Sequence, residues 1–145
     1  MLKDEWGTPL DIFIDLDKEF NFTLDPCGIH NRVLKDGLNT LDTRLGMNGL
    51  THNWKGQSVF VNPPYSGKNI QEWIEKCYAE KDNAHSIVLL IPATKTGTNY
   101  FHQYIIPYAD IRFVKGRINF VPLAGQNDNS NPLYSIICIF RKVKQ

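Results

Sequence analysis

The stretch "QSVFVNPPYSGKNIQEWIEKCYAEKDNAHSIVLLIP", residues 57–92, decides the fold. "QSVFVN" (57–62) is apolar enough to be a strand buried on both faces. Two consecutive prolines stop it, because proline lacks the N–H that would extend the ladder. Ile70, Trp73, Ile74, Cys77 and Tyr78 then recur at i, i+3, i+4, i+7 and i+8, the pattern of one packed helix face. "SIVLLIP" (86–92) is a second, strongly buried strand. Strand, rigid corner, helix and strand in 36 residues is the alternation that builds a parallel sheet.

The flanks extend this reading. Thr8-Pro9 is suited to open a helix, with Thr as the cap and Pro in the first turn. Leu10, Phe13, Ile14, Leu16 and Phe20 continue it at helical spacing. "FNFTLDP" (20–26) reads as a strand broken by Asp-Pro. Residues 27–57, rich in Gly, Asn and Asp, read as loop with one or two short elements. Residues 97–106 suggest a helix ended near Pro107. "DIRFVKGRINFV" (110–121) reads as two strands around Lys115-Gly116, "AGQNDNSNP" (124–132) as a polar loop and "LYSIICIF" (133–140) as the last strand. No internal repeat is present. The expected fold class is α/β, with a sheet parallel in its middle and an antiparallel partner at an edge. Ligands of such sheets sit outside the carboxyl ends of the strands. Asp25-Pro26, Asn62-Pro63-Pro64 and Pro92 all fall at such ends, around one crevice.

A length of 145 residues predicts a single domain, and 42% hydrophobic with 21% charged residues is ordinary for a soluble protein. No apolar run approaches the roughly 18 residues of a membrane span, and the start lacks a signal peptide's hydrophobic segment. Cys27, Cys77 and Cys138 are odd in number and dispersed, which fits free thiols in a reducing cytoplasm. Cys27 and His30 form a C-x2-H pair, but no second pair completes a metal site, so none is expected. The net charge of +1 neither requires nor excludes a nucleic-acid partner. Arg141, Lys142 and Lys144 make a basic end, and Lys115 and Arg117 lie close together.

Asn62-Pro63-Pro64-Tyr65 carries the chemistry. An exocyclic amine on a heteroaromatic ring is a poor nucleophile, since its lone pair is delocalised. Two acceptors placed off the ring plane draw its N–H bonds aside and release that lone pair. Asn62 offers a side-chain carbonyl and Pro63 a main-chain one, on a corner that two prolines stiffen. Acceptors already aimed at developing positive charge need no reorganisation during reaction. Tyr65 would supply the flat face on which a base extruded from a duplex stacks. The plainer alternative is a Pro-Pro loop of no chemical consequence; its place directly after a buried strand weakens that alternative.

"VFVNPPYS" resembles the (N/D)PPY motif of S-adenosylmethionine-dependent amino-group methyltransferases. "DEWGTP" (4–9), "FTLDPCG" (22–28), "NGLTHNW" (48–54), "VLLIPATKTGTNYF" (88–101) and "FVKGRINF" (113–120) extend the resemblance to small phage-type DNA N6-adenine methyltransferases, the Dam-like family. Each motif but NPPY is weak alone; their order and spacing make the likeness specific. It implies a reduced Rossmann-like methyltransferase domain over residues 1–145. It implies that Asn62, Pro63, Pro64 and Tyr65 are catalytic and that Thr8, Pro9, Asp25, Pro26, Cys27 and Asn48 bind S-adenosylmethionine. Thr8 would contact the cofactor's carboxylate, and Asp25 would face its methionine ammonium. Trp6, Ser66, Lys68, Thr94 and Arg117 would line the double-stranded DNA substrate. Plainer roles stand beside these: a helix cap for Thr8, a core position for Trp6, solvated surface for Lys68, a carboxylate partner for Arg117.

Two departures from the family pattern matter. The usual G-x-G is replaced after Gly28 by Ile29-His30-Asn31, and Asn48 stands where an acid is expected. Asp36 and Asp42 are both candidates for gripping the cofactor ribose. Rival readings are a cytosine-N4 enzyme, an RNA or protein-glutamine methyltransferase, and a non-catalytic binder that keeps the fold. A domain this small leaves target recognition short, relaxed or supplied by a homodimer. A phage or prophage protein of this family would act in the bacterial cytoplasm, in protection from restriction or in regulation.

Overall fold

Every residue of 86–92 is buried, and this run forms the centre of the sheet. The structure is a computed structural model that describes residues 6–28, 35–41, 47–65, 67–117, 121–122 and 134–142. In chain order the elements are β1 (Trp6–Gly7), α1 (Leu10–Phe20), β2 (Leu24–Asp25), β3 (Asn39–Thr40), β4 (Ser58–Val61), α2 (Gly67–Glu80) and β5 (Ser86–Pro92). A 3₁₀ turn (Ala93–Gly97), α3 (Asn99–Tyr104), β6 (Asp110–Arg117), β7 (Val121–Pro122) and β8 (Tyr134–Arg141) follow.

The main sheet has the order β3-β2-β4-β5-β8-β6, and β1 pairs with β7 in a separate two-stranded ribbon. β3, β2, β4 and β5 are mutually parallel. β8 is antiparallel to both β5 and β6. The expected antiparallel strand therefore lies one place in from the edge, and β6 at the edge runs with β5. The reason is burial: Ser135–Phe140 are buried throughout, which an edge position would not allow, whereas Arg112, Phe113 and Lys115 of β6 are exposed. The result is a mixed α/β fold around a central sheet.

α1 buries Phe13, Leu16 and Phe20. Phe13 meets Phe60 of β4 edge-on at 5.4 Å, and Phe22 packs against both. Fully burying such a side chain contributes about 1.5–3 kcal/mol, so this aromatic cluster is what seats α1 on the sheet. Leu10 and Ile14 share the helical spacing but stay exposed. Asn21 ends α1 in the left-handed conformation, its N–H donating to the Asp17 carbonyl, and turns the chain into β2.

Several expectations need correction. Pro9, not Thr8, stands at the cap position of α1, and its side chain makes no capping bond. The strand expected over 20–26 is reduced to Leu24–Asp25. The helix expected over 97–106 begins at Asn99, where the Thr98 hydroxyl accepts from Phe101 N–H, and ends at Tyr104. Residues 110–117 form one strand, not half of a hairpin. Gly116 has φ +73°, and it lets β6 absorb an irregularity between Phe113 and Arg117 instead of turning back. β7 then pairs with β1, a partner that two residues at each place could not announce.

Candidate functional site

In this sheet the chain reverses its direction of growth between β2 and β4: β3 adds on one side, β5 on the other. Ligands of open α/β sheets bind outside the carboxyl ends of strands at such a point. Asp25 ends β2, and Asn62-Pro63-Pro64-Tyr65 begins where β4 ends. Two of the three strand-end segments picked out by sequence thus stand at the switch point itself. Pro92 ends β5, the next strand over.

Asn62 is 2% exposed, and both ends of its carboxamide are held. Nδ2 donates to Thr8 Oγ1 at 2.9 Å, and Oδ1 accepts from the Tyr65 hydroxyl at 2.8 Å. Thr8 itself is 2% exposed and lies between β1 and α1, so the amino end of α1 is brought against the tetrad. Tyr65 belongs to the core rather than presenting an open stacking face. Burial raises its phenol well above the ordinary range, so the proton it donates to Asn62 stays in place. Its hydroxyl reaches the neighbouring amide only if the ring turns inward. That local bond is the physical reason the sequence reading missed.

Asp25 is also buried, with Oδ1 accepting from Cys27 N–H at 3.0 Å across the Pro26 turn. Burial first, then the Asp25 charge and Cys77, push the Cys27 thiol up, so it is a packing group and not a nucleophile. All three cysteines are free and buried. Gly49 seats the next loop on this turn. A Cβ there would meet the Pro26 carbonyl oxygen well inside van der Waals contact, and Trp73 Cη2 at 2.8 Å. Trp54 secures the same loop: its Nε1 donates to Gly49 O at 3.2 Å, its backbone N–H to Glu80 Oε1, and its ring stacks on Trp73. Trp54 and Trp73 are thus structural. Asn48 is exposed and its Oδ1 accepts from Leu50 N–H, which makes it the start of a tight turn beside the Asp25 corner.

The remaining candidates scatter. Lys68 is exposed in the first turn of α2, and Thr94 is exposed in the 3₁₀ turn after β5. Arg117 ends β6 opposite Tyr134, and Trp6 pairs through its backbone with Pro122. Ser66, His30 and Asp42 lie outside the described residues. Asp36 is exposed in a turn before the amino end of β3, the wrong end of the strand for a site at the carboxyl side. A polar groove of about 520 Å³ between α2 and α3, lined by Gln71, Glu75, Thr98 and Gln103 among others, touches neither Asn62 nor Asp25. Among the described residues no three His, Cys, Asp or Glu side chains cluster as a metal site would, and no helix is long and apolar enough to cross a membrane.

Comparison with known proteins shows the family. The family model for DNA N-6-adenine-methyltransferase (Dam) matches residues 1–145. The chain is also similar to the DNA N-6-adenine-methyltransferase of Haemophilus phage HP1, with 27% identity over 123 residues, 82% of this chain and 67% of that protein.

Proposed function

From the premise that the chain belongs to the Dam family of DNA N-6-adenine-methyltransferases, we propose that it methylates N6 of an adenine flipped out of double-stranded DNA. The observation that carries this reading is the Asn62 carboxamide, buried and gripped at both ends where β4 stops beside Asp25. The strand order, with its reversal between β2 and β4, supports a reduced Rossmann-like methyltransferase fold.

The residues present fit S-adenosylmethionine. Asp25 is a buried carboxylate at a strand end, matched to an ammonium. Thr8, having accepted from Asn62, keeps its own hydroxyl proton for a carboxylate. Pro9, Pro26 and Cys27 shape the walls between them, and Asn48 borders the corner through its turn. Asp42, two residues past β3 in sequence, is the better ribose candidate, since Asp36 precedes that strand. When bound, S-adenosylmethionine would supply the methyl group, its S–C bond breaking as the N–C bond forms, with the thioether leaving and one N6 proton passing to solvent.

The chain's own work is on the amine. Asn62 Oδ1 and the Pro63 carbonyl accept the two N6 hydrogens and localise the nitrogen lone pair, with the stiff Pro63-Pro64 corner fixing where they point. Oδ1 has two lone pairs, so it can accept from an amine N–H beside the Tyr65 hydroxyl. Positioning of this kind supplies much of the acceleration. Of the candidates for DNA contact, Lys68 and Thr94 are the ones exposed among the described residues.

The test is incubation with methyl-labelled cofactor and duplex DNA, followed by digestion to nucleosides. The label is expected in N6-methyladenine. Label in N4-methylcytosine would move the substrate to the other base. Label only in RNA or protein, or none at all, would overturn the reading.

A further inference from the structure

An amide such as Asn62 is useful as an acceptor only if its oxygen, not its nitrogen, faces the substrate amine. The two ends have nearly the same shape, so packing alone does not choose between them; hydrogen-bond polarity must. Asn62 lies between two hydroxyls, a phenol on Oδ1 and an aliphatic alcohol on Nδ2. Either type can donate or accept. The phenol is the stronger donor and the alcohol the stronger acceptor, because ring conjugation drains the phenol's lone pairs. The pair of neighbours therefore selects one orientation: Tyr65 donates to the carbonyl, and Thr8 accepts from the amide. Thr8 holds the nitrogen end whichever further donor reaches the oxygen.

We infer that Thr8, 54 positions before the tetrad's asparagine, is a positioning residue whose hydroxyl fixes the polarity of the Asn62 carboxamide. The inference rests on the function proposed above, and it assigns Thr8 a task distinct from holding the cofactor. It accounts for two facts together: the burial of Thr8 and the 2.9 Å bond across to the corner that follows β4.

Chemistry supplies a discriminating experiment. A carboxylate has two equivalent oxygens and no polarity to fix. Thr8→Val keeps the shape and removes the hydroxyl, Thr8→Ser keeps the hydroxyl, and Asn62→Asp removes the need for orientation. Single-turnover methyl transfer to a DNA duplex at saturating cofactor is the readout, with cofactor Kd by calorimetry and a melting temperature beside it. Thr8→Val is expected to slow transfer by about 10- to 100-fold even at saturating cofactor, a loss separate from any weakening of cofactor Kd. Thr8→Ser should restore most of the rate. In the Asn62→Asp background, Thr8→Val should cost little. The inference is overturned if Thr8→Val transfers at the normal rate once cofactor is saturating, or if the loss is as large beside Asn62→Asp. If Asn62→Asp is too slow to compare, the serine rescue decides. A wild-type chain that methylates no DNA defeats the proposed function and this inference with it; normal transfer by Thr8→Val defeats the inference alone.

Discussion

The two ends of α1 do opposite things. At its amino end the chain enters from Thr8, and the contacts there are sparse in charge: the bonds from Asn62 to Thr8 and from Tyr65 to Asn62 are neutral and buried. At its carboxyl end Glu19 meets Arg112 of β6 through two bonds of 2.7 and 2.6 Å, and Arg141 of β8 through one of 3.0 Å. Both guanidiniums also lie over the Phe20 ring. This second cluster carries full charges, yet its side chains are 39–51% exposed. Water screens an exposed ion pair and leaves it worth little, whereas a buried polar group without its partner loses its full desolvation energy. The prediction is a molecule whose chemistry depends on the sparse end and whose charged end is only a modest fastening.

The largest expected effect is at the sparse end. Asn62→Ala should lower turnover by about 10²–10³-fold, by analogy with losing one preorganised hydrogen-bonding group from an active site. Its cofactor Kd should change little. Asp25→Asn, which keeps an acceptor for Cys27 N–H but removes the charge, should do the reverse and weaken the cofactor. Calorimetry and single-turnover rates together check both. If Asn62→Ala lost cofactor affinity while Asp25→Asn kept it, the two strand ends would have exchanged roles.

Gly49→Ala comes next. The added methyl would collide with the Pro26 carbonyl and approach Trp73, so the loop must lift or the Asp25-Pro26 turn must move. Overpacking of this kind costs about 1–3 kcal/mol. A thermal melt should show the loss, and calorimetry should show weaker cofactor binding, because the displaced turn carries Asp25. An unchanged melting temperature would mean that the 48–54 loop does not bear on the site.

How far the sequence spoke for the molecule follows from what each signal depends on. β4, α2 and β5 were legible because burial on two faces and a 3.6-residue period are written locally. The tetrad's position was legible because prolines punctuate a strand wherever they fall. β1, β3 and β7 were not, since a two-residue strand exists only by virtue of its distant partner. The inward turn of Tyr65 and the Thr8–Asn62 bond were hidden for a related reason: they depend on which residues the fold brings together across 54 positions, and a threonine before a proline already has an ordinary local explanation as a cap. Lys115-Gly116 misled because a glycine at positive φ serves a bulge as well as a hairpin.

The smallest effect belongs to the charged end, and it sharpens the contrast best. Bonds and charge from Arg112 and Arg141 outweigh burial and lower the Glu19 carboxyl from 4.5 to about 2. A carboxylate whose folded value lies below its unfolded one adds stability that is complete above about pH 4.5 and disappears as the pH falls through about 2. Because all three side chains are well exposed, that stability amounts to less than about 1 kcal/mol. Glu19→Gln should therefore melt no more than about 3 °C lower at neutral pH. The gap should close as the pH drops towards 2, and narrow in about 1 M salt, where the Debye length is near 3 Å. Methyl transfer should proceed normally at temperatures where both chains are folded. A gap of many degrees that salt did not touch would show the Glu19 cluster behaving like a buried network, and exposure would then be the wrong criterion for ranking the two ends of α1.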